Sequence, residues 1–326
     1  MKHFHFYKIM IGILAGLFAA VIGMAIISVA NIAPYFSLLL GFFISLPIFI
    51  VAFGFGTLSS LIALTSVTFI FSIANNIYIG FGFMLLFFLP AVYTSWLFGL
   101  ARLTQKENEL IWYPLSSVVF LSTNFIALTL TFIGIYVQMH PITPIIAQEV
   151  TANIVQVMRQ SQSINEDDIL AFSELLTTHA ATLIAIALTG YSLIFLVGNL
   201  YFSMITARHM KWLTRPRDDW GQTFRLPLSG LIIFIVACIA SMLELGSILN
   251  LGTRVFTTAY TVVISISGLA YLHHITKGVN GRVIILSLVY IAALTVVFTT
   301  PIVFMTILMG IWATIQYNFQ SHNKLH

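Results

Sequence analysis

From Ile9 to Ala30 the chain carries no charged side chain. The same emptiness recurs over 35–53, 56–74, 80–101, 112–137, 179–206 and 255–275, with Glu244 alone intruding in 227–246. A helix rises about 1.5 Å per residue and the hydrocarbon core of a bilayer is about 30 Å thick, so each run of roughly 20 apolar residues is long enough for one crossing. Hydrocarbon offers no water to backbone N–H and C=O groups, and a helix satisfies them along its own length. Composition points the same way: 59% of the 326 residues are hydrophobic and 7% are charged, against about 25% charged in a soluble domain. The chain is therefore read as an all-α integral membrane protein, a polytopic helical bundle.

The breaks between runs have physical causes. Asn31-Ile32-Ala33-Pro34 ends the first, Gly54-Phe55-Gly56 separates the second and third, and Asn75-Asn76 ends the third. Lys2 and Lys8 precede the first run and Ser28-Val29-Ala30 imitates a cleavage site. The run nevertheless exceeds the roughly 7–15 residues of a signal-peptide core, so it is read as a retained span. The last apolar stretch, from Val283 to Tyr317, is too long for one upright helix. Thr299-Thr300-Pro301 lies in its middle, where the residue before proline is pushed from helical geometry. Two short spans with a turn there make about ten crossings; one kinked helix makes nine.

Basic residues orient the bundle. A cytoplasmic N-terminus leaves only Arg159 and Arg254 of the fourteen basic residues on the outer side, which is the bias expected of inward-facing loops. Six acidic residues then lie outside: Glu149, Glu166, Asp167, Asp168, Glu174 and Glu244. The chain divides into a five-span bundle over 1–137, an external amphipathic segment over 138–178, and a bundle of four or five spans over 179–326. In the external segment Ile146, Val150, Ile154 and Val157 recur at helical spacing. Ser163-Ile164-Asn165-Glu166 then forms a capping box ahead of Ile169, Leu170, Phe172, Leu175 and Leu176. Two short helices lying over the bundle, as a lid or a connector, are expected from this pattern. On the inner side, the segment from Arg208 to Trp220 mixes tryptophan with basic residues, a combination suited to lipid headgroups or to a docking partner.

Ionisable groups inside a membrane mark function, and this chain has almost none. Glu244 and Arg254 lie near the outer ends of their spans, where they could pair with each other or hold a charged solute. Asn124 and Asn199 lie deep in theirs, each needing a hydrogen-bond partner from another helix or a ligand. These four are the candidate ligand-binding residues. His273 and His274 diverge by about 100° on a helix and do not chelate one ion together, and Cys238 is a lone small packing residue. No metal site, cofactor, nucleotide loop, nucleophile elbow or paired carboxylate is read from the sequence, and the scattered basic residues do not point to nucleic acid. In span one, Gly12, Gly16 and Ala20 form one row of small residues and Ala15, Ala19 and Gly23 the next. Such rows admit a second helix closely, either this chain's own or a partner's.

The order of these features resembles the YybS-like family of uncharacterised bacterial membrane proteins. The resemblance rests on Arg215-Pro216, Arg225-Leu226-Pro227 before a span, Gly268-Leu269-Ala270-Tyr271-Leu272-His273, and a final pair of short spans near a proline. It implies a distant likeness to the solute-binding S components of energy-coupling-factor transporters, many of which dock a membrane coupling protein through an Ala-x-x-x-Ala row. Ala15-Gly16-Leu17-Phe18-Ala19 has that spacing, so the resemblance assigns partner docking to Ala15 and Ala19. S components usually have about six spans, fewer than are counted here. The expected function is a transport-related subunit of a bacterial inner membrane, not itself an enzyme, that binds a small solute or lipid and lacks its own energy-coupling site. The alternative is a scaffold or assembly factor working through Arg215 and Arg217 or through the external helices. A lipid-modifying enzyme, with Glu244 and Arg254 at the interface, is a third and weaker reading.

Overall fold

A computed structural model describes residues 2–30, 32–103, 110–140, 151–152, 155, 159, 165–243 and 245–323. Helix α1 (Lys2–Ala30) leads into α2 (Pro34–Gly41) and α3 (Leu46–Phe55), which share one apolar run. Helix α4 (Thr57–Ala74) follows, then α5 (Ile77–Phe83), a π-helical turn (Met84–Phe88) and α6 (Leu89–Phe98). Strands β1 (Ala101–Leu103) and β2 (Leu110–Trp112) pair antiparallel, with Arg102 opposite Ile111. The elements described after it are helices: α7 (Leu115–Met139), α8 (Glu166–His209), the single turn α9 (Trp220–Thr223), α10 (Leu228–Ser241), α11 (Ser247–Ile275), α12 (Arg282–Leu294) and α13 (Val296–Asn323). Among the described residues, eight helical stretches are long and apolar enough to cross a membrane, counting Tyr35–Phe55 and Ile77–Phe98 as one each. Leu228–Ser241 and Arg282–Ala293 are shorter apolar helices.

Local chemistry explains most boundaries. Gly56, at φ +89°, turns the chain from α3 into α4 in the left-handed region that glycine alone enters without strain. Asn76 caps α5, its side chain accepting from the Ile79 N–H at 2.9 Å. Glu166, Asp167 and Asp168 sit in the first turn of α8 and Arg208 and His209 in its last, each sign complementing the helix dipole.

Three expectations change. The run 35–53 is not one helix: it breaks over 42–45. The helix expected after Asn165 is not separate but forms the leading turns of α8, whose 44 residues span about 66 Å. Thr177-Thr178-His179-Ala180-Ala181 holds no glycine or proline to stop it. The break in the last stretch falls at the extended Thr295 rather than at Thr299-Pro301. Pro301 is accommodated in the second turn of α13, where it removes one backbone bond. The expected helix over 146–157 and residues 163–164 of the capping box lie outside the described residues.

Packing depends on small residues. A Cβ at Gly12 would lie 2.7 Å from the Ser59 carbonyl oxygen, and one at Gly16 would lie 2.8 Å from that of Ala63, so α1 and α4 meet backbone to backbone. Ala19 and Ala20 are buried at 0% and 1% exposure. Helices α11 and α13 interlock reciprocally: a methyl group on Gly268 would fall on the Thr306 carbonyl, and one on Gly310 on the Ile264 carbonyl. Gly12 and Gly16 are four residues apart on α1, the spacing that places small side chains on one helical face.

The described chain gathers one set of loops at one end. Phe55 lies between the rings of Tyr7 (5.8 Å between centroids) and Trp212 (5.1 Å). The Asn318 amide donates to the Leu226 carbonyl at 3.2 Å. Substituting Gly268 by leucine is expected to lower the thermal midpoint in mild detergent by an amount equivalent to 2 kcal/mol or more, in the upper part of the range of about 1–3 kcal/mol for overpacking. Gly190→Ala, which meets nothing within 4 Å, should be neutral or stabilising. Equal midpoints for wild type and Gly268→Leu would contradict the close crossing.

Candidate functional site

The interruption between α2 and α3 lies within an apolar run, where every freed backbone group needs a partner. Pro47, in the first turn of α3, cannot continue a helix arriving from Phe43. The chain tightens instead: the N–H groups of Phe42, Phe43, Ile44 and Leu46 each bond the carbonyl three residues back. A side chain adds a further bond at the Gly41 carbonyl. Asn199 of α8 donates its amide nitrogen to the Gly41 carbonyl at 3.2 Å and to Phe195 of its own helix at 2.7 Å. Both partners are acceptors, which fixes which end of the amide is nitrogen.

A second irregularity faces the first. Pro90 cannot donate within its helix, and the chain widens into the π turn just before it, the Leu89 N–H reaching back to the Met84 carbonyl. Ser45 bridges the two, its hydroxyl donating to the Phe87 carbonyl at 2.9 Å. Aromatic rings fill the remaining space. Phe195 stands edge-on to Phe42 at 5.2 Å and lies 6.2 Å from Phe87. Gly41 leaves room for the Phe195 ring and Gly198 for the Phe42 ring.

Helix α8 brings a polar stripe to this junction. Thr189, Ser192, Asn199 and Ser203 are each at most 1% exposed, and their spacings of three, seven and four keep them on one face. Thr189 and Ser203 donate to their own helix. The Ser192 hydroxyl and the Asn199 carbonyl oxygen are buried without a partner among the described residues. An unpaired buried polar group costs about 1–3 kcal/mol, which makes both conspicuous. Behind the stripe, a cavity of about 10 Å³ is bordered by Thr94, Val119, Ser122, Leu196 and Leu200, room for about one water. Stretches 34–55, 77–98 and 180–207 contain no charged residue, so the junction offers an amide, hydroxyls, carbonyls and phenyl rings but neither acid nor base.

The other sequence candidates are placed differently. Asn124 is engaged at both ends, donating to the Phe120 carbonyl at 2.8 Å and accepting from the Tyr260 hydroxyl at 3.1 Å, so it ties α7 to α11. Arg254 is half-buried in α11; Glu244, and with it any pairing of the two, lies outside the described residues. Ala15 and Ala19 are buried within the chain, on a helix seated against α4. That row is occupied, and it presents no open surface to a partner. Among the described residues no three His, Cys, Asp or Glu side chains converge on a metal geometry, and His273 meets Tyr290 at 2.8 Å.

Arg215 requires a correction. As a docking residue it should be exposed, yet it is 5% exposed. Its guanidinium donates to the carbonyls of Phe98 at 3.0 Å and Tyr113 at 2.8 Å and grips Asp218 through two nitrogens at 2.9 and 3.1 Å. It also lies 4.1 Å from the centre of the Phe98 ring. Arg215 thus fastens the segment after α8 to the end of α6 and to the hairpin, whereas Arg217 is exposed. Nearby, Lys277 donates to Asp219 at 2.5 Å; that hydrogen bond holds the Asp219 carboxyl below its usual range. Because the folded-state value is depressed, the contact persists at neutral pH and is lost only as pH falls through that lowered value.

Sequence reasoning found Asn199 but missed Gly41, Ser45, Phe87 and the rest of the stripe. The available signal was glycine and proline bracketing 41–47 in an otherwise apolar run. Arg215→Leu should destabilise the protein by about 3 kcal/mol, because it strands Asp218 and two carbonyls. Arg217→Ala should change stability by no more than about 0.5 kcal/mol. Denaturant titration in detergent compares them, and equal effects would refute the fastening role. No protein-family model, no curated protein and no solved structure matches the chain.

Proposed function

We propose that this protein is a transport-related membrane subunit that binds a small uncharged solute or a lipid where α2, α3 and the π turn meet the polar stripe of α8. The observation that carries this reading is the broken helix, with the Asn199 amide bonded to its near edge at Gly41 and its carbonyl oxygen unpaired among the described residues. Discontinuous helices are the usual architecture of binding sites at membrane depth, because they free backbone groups for a ligand. The absence of charge from stretches 34–55, 77–98 and 180–207 favours a neutral ligand, since an ion there would lack a counter-charge. The subunit draws its energy from a partner. The YybS-like resemblance agrees with this role and with a bacterial inner membrane.

Its topology is ten crossings with a cytoplasmic N-terminus. Support comes from the eight long helices plus the two shorter ones and from the basic residues that share an end with Trp212 and Lys277. With Cys238→Ala as background, Arg217→Cys should react with an impermeant thiol reagent only from the cytoplasmic side of sealed vesicles. Labelling from the outer side would invert the assignment.

The binding role is tested by mild detergent extraction followed by mass spectrometry of retained small molecules. Wild type should retain a neutral compound or a particular lipid that is depleted at least tenfold in Asn199→Leu, while Asn124→Leu, at the α7–α11 contact, retains it. An identical retained set in wild type and Asn199→Leu would refute the site. A stable protein partner with no retained molecule would favour the scaffold reading.

A further inference from the structure

Helix α8 ends in an unusual way. The Trp212 N–H bonds the Ala207 carbonyl at 2.8 Å and the Lys211 N–H bonds that of Arg208 at 3.0 Å, the paired closure that normally places glycine at the left-handed position. Lysine stands there instead: Lys211 has φ +58° and is the only non-glycine residue with positive φ among the described residues. An unbranched cationic side chain is thus held in a strained backbone state where glycine would be easier, and such outliers cluster at functional sites.

The surroundings fit an anion. Asp218 is taken by Arg215 and Asp219 by Lys277. Arg208, Lys211 and Arg217 form no ion pair with a carboxylate among the described residues. The Arg208 guanidinium reaches the Pro216 carbonyl at 3.5 Å, which folds the segment carrying Arg217 back toward the end of α8. Beside them runs a ladder of rings, Tyr7, Phe55 and Trp212, with Tyr7 at 55% and Trp212 at 37% exposure. These rings lie where α1, α3 and α8 reach the end of the bundle, the level at which amphipathic aromatics meet lipid headgroups.

We propose that the surface around Trp212 binds the phosphate-bearing headgroup of an anionic membrane lipid, with Arg208, Lys211 and Arg217 as the cationic contacts and Trp212 seated beside the glycerol. A membrane lipid is favoured over an acidic soluble protein because the cations flank half-exposed rings at the ends of apolar helices. The proposal does not depend on which face of the membrane is cytoplasmic, nor on the junction at Asn199.

The full chain, reconstituted with brominated phosphatidylglycerol or brominated phosphatidylcholine, provides the test. Quenching of Trp212 is read as the difference between wild type and Trp212→Phe. The anionic lipid should quench more at equal mole fraction, with a preference that falls at high salt. Each cation removed should reduce that preference about fivefold, and the triple change to glutamine (R208Q, K211Q, R217Q) about 100-fold. Lys211→Gly separates recognition from folding: it relieves the strained backbone, so the thermal midpoint should hold or rise while the lipid preference falls about fivefold. Equal quenching by both lipids, or an unchanged preference in Lys211→Gly and the triple variant, overturns the proposal. So does loss of the preference to inorganic phosphate at matched ionic strength, which would identify a free-phosphate site. Equal quenching together with an acidic soluble protein retained through the same three residues would assign the surface to protein docking instead.

Discussion

Every backbone N–H and C=O in the hydrocarbon must find its partner within the protein, and the architecture follows from that constraint. Regular helix meets it automatically. Two departures among the described residues, at 42–45 and 84–88, are tied by side chains: Ser45 and Asn199 supply donors to the carbonyls of Phe87 and Gly41. Neither irregularity is independent of the other, because the serine that belongs to the first satisfies a group in the second. Removing Asn199 would leave the Gly41 carbonyl with the Ile44 N–H alone, and removing Ser45 would cut the tie between the two irregularities.

Between regular helices the constraint changes, because apolar side chains gain little over lipid by packing together. What holds them is close approach. Glycines on α1, α11 and α13 bring backbones into direct contact, which dispersion and Cα–H···O contacts reward in small increments. Polar ties add register: Asn124 to Tyr260 joins α7 to α11, Thr94 to Ser122 joins α6 to α7, and Asn318 of α13 reaches Leu226 just ahead of α10. At the bundle end with Trp212, Arg215 and Arg225 bond to carbonyls of several segments, so charge there does structural work that hydroxyls and amides perform within the spans.

The fold was legible where the sequence interrupts its apolar pattern. Gly56 and the Asn75-Asn76 pair mark real turns, because a positive φ and a helix cap are written in residue type. The break at 42–45 was hidden because hydropathy does not change across it, and only Gly41 and Pro47 hint at it. Thr295 was hidden for the same reason, while Pro301 drew attention that its position early in α13 does not justify. For the site, Asn199 stood out as an amide among apolar residues. Ser192 and Ser45 did not, since a hydroxyl in a membrane helix usually bonds its own backbone. Arg215 could not be told from Arg217 by sequence: both follow the same helix, and only the fold places the Phe98 and Tyr113 carbonyls around one of them.

Helix α3 connects the two regions that matter most. Its first residues adjoin the break facing Asn199, and its last, Phe55, lies between Tyr7 and Trp212. Ten residues separate them, about 15 Å of helix. A segment so short bends little, and neither end is a continuous helix into its neighbour, since α2 stops at Gly41 and α4 begins after the Gly56 turn. Its placement is therefore set by side-chain packing along its length, where Ile48, Phe49 and Val51 are buried and Phe53 lies 5.4 Å from Phe98, and by the contacts at its two ends. The same short helix thus carries Phe55 against Trp212 at one end and adjoins the Ser45–Phe87 contact at the other. The broken helix and the aromatic, basic end of the bundle are in this sense joined by one short, well-packed segment.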